Sequence, residues 1–144
     1  MATRRRLIIA DDYRPFVDVC RDLLQPEFEV ADVAFNGQEL LTKVSLHRPD
    51  AVVLDVFMPI MNGLYAAEHI KRRYPEIQLI FLTADPRPSI RAAALERGAS
   101  AVIFKGDAQE LRAALRSALW ASLVSQTPLS PVPEAKTPVE RLLK

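Results

Sequence analysis

Four short apolar runs punctuate the chain: Leu7-Ile8-Ile9-Ala10, Ala51-Val52-Val53-Leu54, Ile77 through Leu82 with Gln78 inside it, and Ala101-Val102-Ile103-Phe104. Runs this short and this rich in branched residues predict strands buried on both faces. A fifth segment, Phe28 to Val33, alternates apolar residues with acids and predicts an edge strand.

Between these runs the apolar spacing changes to three and four. Pro15 suits a first helical turn, and Phe16, Val19, Cys20 and Leu23 then share one helical face. Asn36 is placed to cap a helix from Gly37 to Leu46. Leu64 to Arg73 forms a third helix with Ala66, Ala67 and Ile70 inward, and Ile90 to Arg97 a fourth that stops at Gly98. Asp107 with Glu110 resembles a capping box opening a last helix to about Val124, with Leu111, Ala114, Leu115 and Ala118 facing the core. Strand and helix alternate five times, which predicts an α/β fold: a doubly wound parallel sheet with right-handed crossovers and helices on both faces.

Composition narrows the class. The 144 residues carry 19 basic and 18 acidic side chains, net +1, with 49% apolar content, as expected of one globular domain. That balance supplies no field for nucleic acid or an anionic membrane, although Arg4, Arg5 and Arg6 make a basic start. A lone Cys20 excludes an internal disulfide and a cysteine zinc cluster. The apolar runs are too short to span a bilayer and the first residues lack a secretion signal, so the expected location is the cytoplasm. Pro128, Pro131, Pro133 and Pro138 crowd the end of the chain. The expected organisation is a basic segment over 1–5, one domain over 6–124, and a Pro-rich tail over 125–144, extended or flexible, with at most a helical turn at Val139 to Leu143.

The candidate chemistry lies where the buried strands end. The first run ends in Asp11-Asp12, the second in Asp55, the third in Thr83 and the last in Lys105. In a doubly wound sheet the carboxyl ends of the strands share one edge, where ligands bind. Any one of these acids alone reads as a cap or loop residue, and Asp12 could cap the first helix. As a set they bring three carboxylates together against one ammonium. Two like charges 4 Å apart repel by roughly 4 kcal/mol at an effective dielectric of about 20, so the site calls for a hard cation. Mg²⁺ fits, because it takes a few carboxylates, keeps waters and accepts phosphate oxygens. A carboxylate can attack phosphorus to give an acyl phosphate. Asp55 is the expected nucleophile, Lys105 and the metal the neutralisers, Thr83 a donor to a phosphoryl oxygen, and the small Ala84 leaves the phosphorus approachable. His47 and His69 are expected to be solvated and Cys20 to sit in the core. Met58 and Met61 flank a turn, as packing or as a lid. Trp120 lies off the core face, over the tail or against a partner.

The motifs Ile9-Ala10-Asp11-Asp12, Leu54-Asp55-Val56-Phe57-Met58-Pro59, Met61-Asn62-Gly63, Leu82-Thr83-Ala84, Gly98-Ala99-Ser100 and Phe104-Lys105 resemble the receiver domain of two-component response regulators. The resemblance runs from about Arg6 to Val124, and the Lys105-Gly106-Asp107-Ala108 ending is most like receivers of helix-turn-helix transcription regulators. It implies a flavodoxin-like (βα)5 fold with strand order 2-1-3-4-5. It also implies that Asp55 accepts a phosphoryl group from a sensor histidine kinase or phosphotransfer protein. Asp12 and Asp55 would hold Mg²⁺ directly, Asp11 through water, and the Phe57 carbonyl would complete the protein ligands, with Thr83 and Lys105 reading the phosphoryl group. Ala84 and Val102 mark the switch region. Three positions depart from the family pattern: Val102 stands where an aromatic residue is usual, Gly106 where Pro is usual, and Phe57 sits two places after the acceptor, where it could shield the phosphoryl group from water.

The leading expectation is a signalling switch whose output is binding to a downstream protein, with a homodimer through the last helices compatible and with no membrane or direct nucleic-acid contact. One alternative is the receiver half of a longer DNA-binding regulator. Another is a phosphorylation-independent interaction module. Catalysis on a separate substrate is not expected beyond the domain's own phosphotransfer and dephosphorylation: Phe57 stands where a haloacid-dehalogenase-like phosphatase needs a second Asp, Asp11-Asp12 would repel a flavin phosphate, and no Gly-rich nucleotide loop occurs.

Overall fold

A computed structural model describes residues 4–126, with side chains placed over residues 4–120. The elements alternate as β1 (Arg6–Ala10), α1 (Arg14–Leu24), β2 (Glu29–Ala34), α2 (Gly37–His47), β3 (Ala51–Asp55), α3 (Gly63–Arg73), β4 (Gln78–Thr83), α4 (Pro88–Glu96), β5 (Ala101–Phe104) and α5 (Ala108–Gln126). The five strands form one parallel sheet, as the alternating pattern predicts, in the order β2-β1-β3-β4-β5 that the family resemblance implies. Because strand side chains alternate between faces, Ile8, Val52 and Leu79 face a core made with α2, α3 and α4. Leu7, Val53 and Ile80 face a second core made with α1 and α5.

Short polar side chains fix the helix starts. Asn36 Oδ1 accepts from the Glu39 N–H at 2.8 Å, while Glu39 Oε1 reaches back to the Phe35 N–H at 2.8 Å. Asn62 accepts from the Tyr65 N–H at 2.9 Å and Asp107 from the Glu110 N–H at 2.9 Å. Gly98, at φ +94°, follows α4 in the left-handed region that glycine takes without strain. Helix α1 carries Pro at its first turn and has no side-chain cap, so Asp12 is not a capping residue.

Three expectations need correction. The last apolar run is not buried on both faces: β5 is the sheet's second edge strand, and Phe104 is 53% exposed. Val19 is 62% exposed, and α1 buries Val17, Cys20 and Leu24; at 3.6 residues per turn Val19 falls about 100° round from Cys20, off the inward stripe. His47 is not simply solvated: its Nε2 lies 2.9 Å from Asp32 Oδ2 on β2, a partner 15 residues away that no local reading supplies. Elsewhere the pattern holds. Cys20 is buried and its thiol is pushed up to about 11, chiefly by burial with Asp11 adding. Met58 packs in the core and Met61 against it. On α5 the buried ridge is Leu111, Leu115 and Leu119, with Ala114 and Ala118 packed against it, and Trp120 is 67% exposed. Helix α5 runs two residues beyond Val124; the rest of the expected tail lies outside the described residues. Among the described residues no helix is long and apolar enough to cross a membrane.

Candidate functional site

The carboxyl edge of the sheet gathers the polar strand ends. Asp55 and Thr83 are the last ladder residues of β3 and β4, paired with Leu82 and Phe104. Asp11 and Lys105 come just after β1 and β5, and their backbone N–H groups extend the ladders by donating to Ala34 O at 3.0 Å and Thr83 O at 2.8 Å. Side-chain direction at this edge is therefore set by strand register. Asp11 (2% exposed), Asp55 (8%) and Thr83 (4%) are buried, whereas Asp12 is exposed. Oxygens of Asp11, Asp12 and Asp55 all lie within 4.8 Å of one another. The Lys105 ammonium donates to Asp11 Oδ2 at 2.6 Å and to Asp55 Oδ2 at 3.3 Å.

One ammonium does not balance three carboxylates. Burial raises the Asp55 pKa, Asp11 adds to the rise, and Lys105 opposes it. Burial alone would lower the Lys105 pKa, but the two carboxylates outweigh it and hold it high. This excess of hard oxygen donors, two buried and one open to solvent, is the donor set a divalent cation such as Mg²⁺ takes.

Above Asp55 opens a shallow cleft of about 440 Å³ lined by Asp55, Phe57, Ala84, Asp85, Pro86 and Lys105. Phe57 is 52% exposed at its rim. Thr83 Oγ1 accepts from the Asp85 N–H at 3.0 Å, which leaves the hydroxyl proton free to donate to another acceptor. Val102 is buried against the α2, α3 and α4 face, and its carbonyl accepts from Arg91 at 3.1 Å. The structure thus brings together four of the five side chains singled out from strand ends, Asp11, Asp12, Asp55 and Lys105, with Thr83 at the end of the neighbouring strand and with Phe57 and Ala84 lining the cleft above Asp55.

Several supporting residues escape a reading of the sequence. An ideal Cβ on Gly63 would lie 1.9 Å from the Asp55 carbonyl oxygen, and one on Gly37 would lie 2.3 Å from that of Met61, so both glycines allow the β3–α3 loop to close under the site. The motif Met61-Asn62-Gly63 flags the first; nothing local marks the second. The Lys105 ammonium sits 4.5 Å above the Phe16 ring, a contact between residues 89 positions apart. Arg87 grips Asp85 through contacts of 2.6–2.9 Å, fixing the cleft's far wall.

Residues 7–116 match the response regulator receiver domain family. The chain is 33% identical over 127 residues to the response regulator MprA of Mycobacterium sp. (strain KMS), covering 88% of this chain and 55% of that protein. It is 30% identical to the transcriptional regulatory protein DegU of Brevibacillus brevis over 102 residues, 69% of this chain and 43% of that protein. This chain thus spans about half the length of these relatives. Among solved structures, the signal receiver domain of the regulator NarL from Mycobacterium tuberculosis superposes with a TM-score of 0.76 at 25% identity, covering 81% of this chain and 98% of that one. CheY of the CheX-CheY-BeF3-Mg complex from Borrelia burgdorferi gives 0.75 at 25% identity, with 78% and 87% covered. Since the family match runs from β1 into α5 and the same strand order carries the acidic edge, this chain belongs to the receiver domain family of two-component response regulators.

Proposed function

We propose that this chain is a phospho-accepting receiver in which Asp55 takes a phosphoryl group from a histidine kinase or phosphotransfer protein. The observation that carries the reading is the Lys105 ammonium bridging buried Asp11 and Asp55 beside exposed Asp12. An Asp55 oxygen forms the new O–P bond as the P–N bond to the donor's imidazole breaks, and the imidazole leaves with the electron pair. Lys105 stays beside the carboxylate and offsets charge on the phosphoryl oxygens, while the Thr83 hydroxyl donates to one of them. Asp11, Asp12, Asp55 and the Phe57 carbonyl would hold Mg²⁺, which when bound supplies the positive charge the carboxylates lack. The receiver solved with Mg and BeF3 supports that assignment by analogy. Phe57 lines the cleft rim, where its ring would shield the phosphoryl group from water, so the rate of dephosphorylation is expected to differ from that with a small polar residue there.

The output we assign is protein binding, through a two-state surface biased by the added charge. A second reading, the receiver portion of a longer DNA-binding regulator, is favoured by the chain spanning 43% of the transcriptional relative. The test is incubation with a small phosphodonor such as acetyl phosphate. One phosphoryl mass should appear with Mg²⁺ and not with chelator, and metal-independent labelling would count against the site.

A further inference from the structure

A cleft of about 640 Å³ opens between α2 and α3, near their carboxyl-terminal ends. Crossover helices run back against the strands, so it lies toward the opposite edge of the sheet from Asp55. Leu41, Ile70 and Tyr74 give it an apolar floor, and Arg72 and Arg73 line it. The Arg48 guanidinium lies 4.5 Å over the Tyr74 ring and that of Arg73 5.8 Å from the same ring. Among the described residues neither Arg48 nor Arg73 has an ion-pair partner, and Arg72 has only the exposed Glu68 at 3.9 Å.

Packing alone does not account for this arrangement. Stacking uses the face of a guanidinium and leaves its N–H fork for a carboxylate. Arg48 also holds the left-handed conformation at the end of α2, φ 46° and ψ 64°, which glycine takes freely and arginine does not. Residue choice here favours a positioned cation over a relaxed backbone.

We propose that the α2–α3 cleft docks an acidic segment of a partner protein, with one bulky apolar side chain on the Leu41–Ile70–Tyr74 floor and flanking carboxylates taken by Arg48 and Arg73. The ring holds both guanidiniums near their binding positions, which lowers the ordering cost of association. The apolar floor would leave a sugar-phosphate backbone nothing to bury, and the chain's net charge of +1 offers it little attraction.

The test uses the full chain labelled with ¹⁵N and a capped peptide carrying one Phe between Glu residues. Amide shifts should cluster at Leu41, Arg48, Ile70, Arg73 and Tyr74 and shrink with added salt. Arg48→Gly and Arg73→Gln should each weaken binding by about tenfold or more, the scale of one charge-assisted hydrogen bond. Arg48→Gly should melt no lower than the wild type, since left-handed strain is relieved, so its loss of binding is not loss of fold. Absence of shifts at millimolar peptide, equal binding by the variants, or equal displacement by inorganic phosphate would overturn the proposal.

Discussion

Gly63 and Asp55 are in backbone contact: a methyl group on Gly63 would meet the Asp55 carbonyl oxygen at 1.9 Å, and the Gly63 N–H donates to Val56 O at 2.7 Å. Helix α3 thus begins against the residue proposed to carry the phosphoryl group, with no side chain between that could yield. Gly63→Ala should cost about 3 kcal/mol of unfolding free energy in urea, from overpacking against backbone, and should slow phosphoryl incorporation by displacing Asp55. Stability within about 0.5 kcal/mol of the wild type would show that the loop yields freely.

Asp55 itself should weaken the metal-free fold. Burial first, then Asp11, raises its pKa against the pull of Lys105. A raised folded-state value means its contribution to stability is fully present below the unfolded value of about 3.9 and is lost as pH rises through the folded value. In Mg²⁺-free buffer, wild-type stability minus that of Asp55→Asn should fall across that window and stay low to neutral pH, by about 1.4 kcal/mol for each tenfold gain in proton affinity on folding. Urea unfolding at stepped pH measures it, and a difference that grows with pH would show that pairing with Lys105 outweighs burial.

Why these residues are legible in the sequence and others are not follows from the range of each signal. Asp11, Asp55, Thr83 and Lys105 end apolar runs, and strand periodicity together with parallel pairing forces them to one edge. Asn36, Asp107 and Gly98 act within three residues of themselves, so local chemistry reveals them. Val19 is misplaced by periodicity because two overlapping stripes at spacings of three and four fit α1 equally until the sheet selects one. Phe16 under Lys105, His47 against Asp32 and Gly37 against Met61 are contacts across the fold, set by packing and carried by no short pattern.

Ile60 lies in the β3–α3 loop at φ 69° and is 77% exposed, inside a three-residue turn closed by the Met61 N–H to Pro59 O at 2.6 Å. A β-branched residue is strained there, by roughly 1–2 kcal/mol. Ile60→Gly should raise stability by about 0.5–1 kcal/mol after the entropy of the unfolded glycine is counted, read as a higher melting temperature. A lower one would mean the side chain makes a stabilising contact.

The Phe16 ring under the Lys105 ammonium should matter for chemistry more than for folding. A cation–π contact of this kind contributes about 0.5–2 kcal/mol. Phe16→Leu should therefore slow labelling by acetyl phosphate several-fold, with Phe16→Tyr near the wild-type rate. Equal rates in both variants would remove Phe16 from any role in positioning Lys105.

Every role proposed at this edge requires phosphorus to bond to one carboxylate, and chemical trapping shows whether it does. Protein treated with acetyl phosphate and Mg²⁺ is reduced with borohydride, which converts an aspartyl phosphate to homoserine, and its peptides are sequenced by mass spectrometry. Homoserine at position 55, absent from Asp55→Asn, is the predicted result; homoserine at position 11 or 12, or no conversion while label is retained, would contradict it.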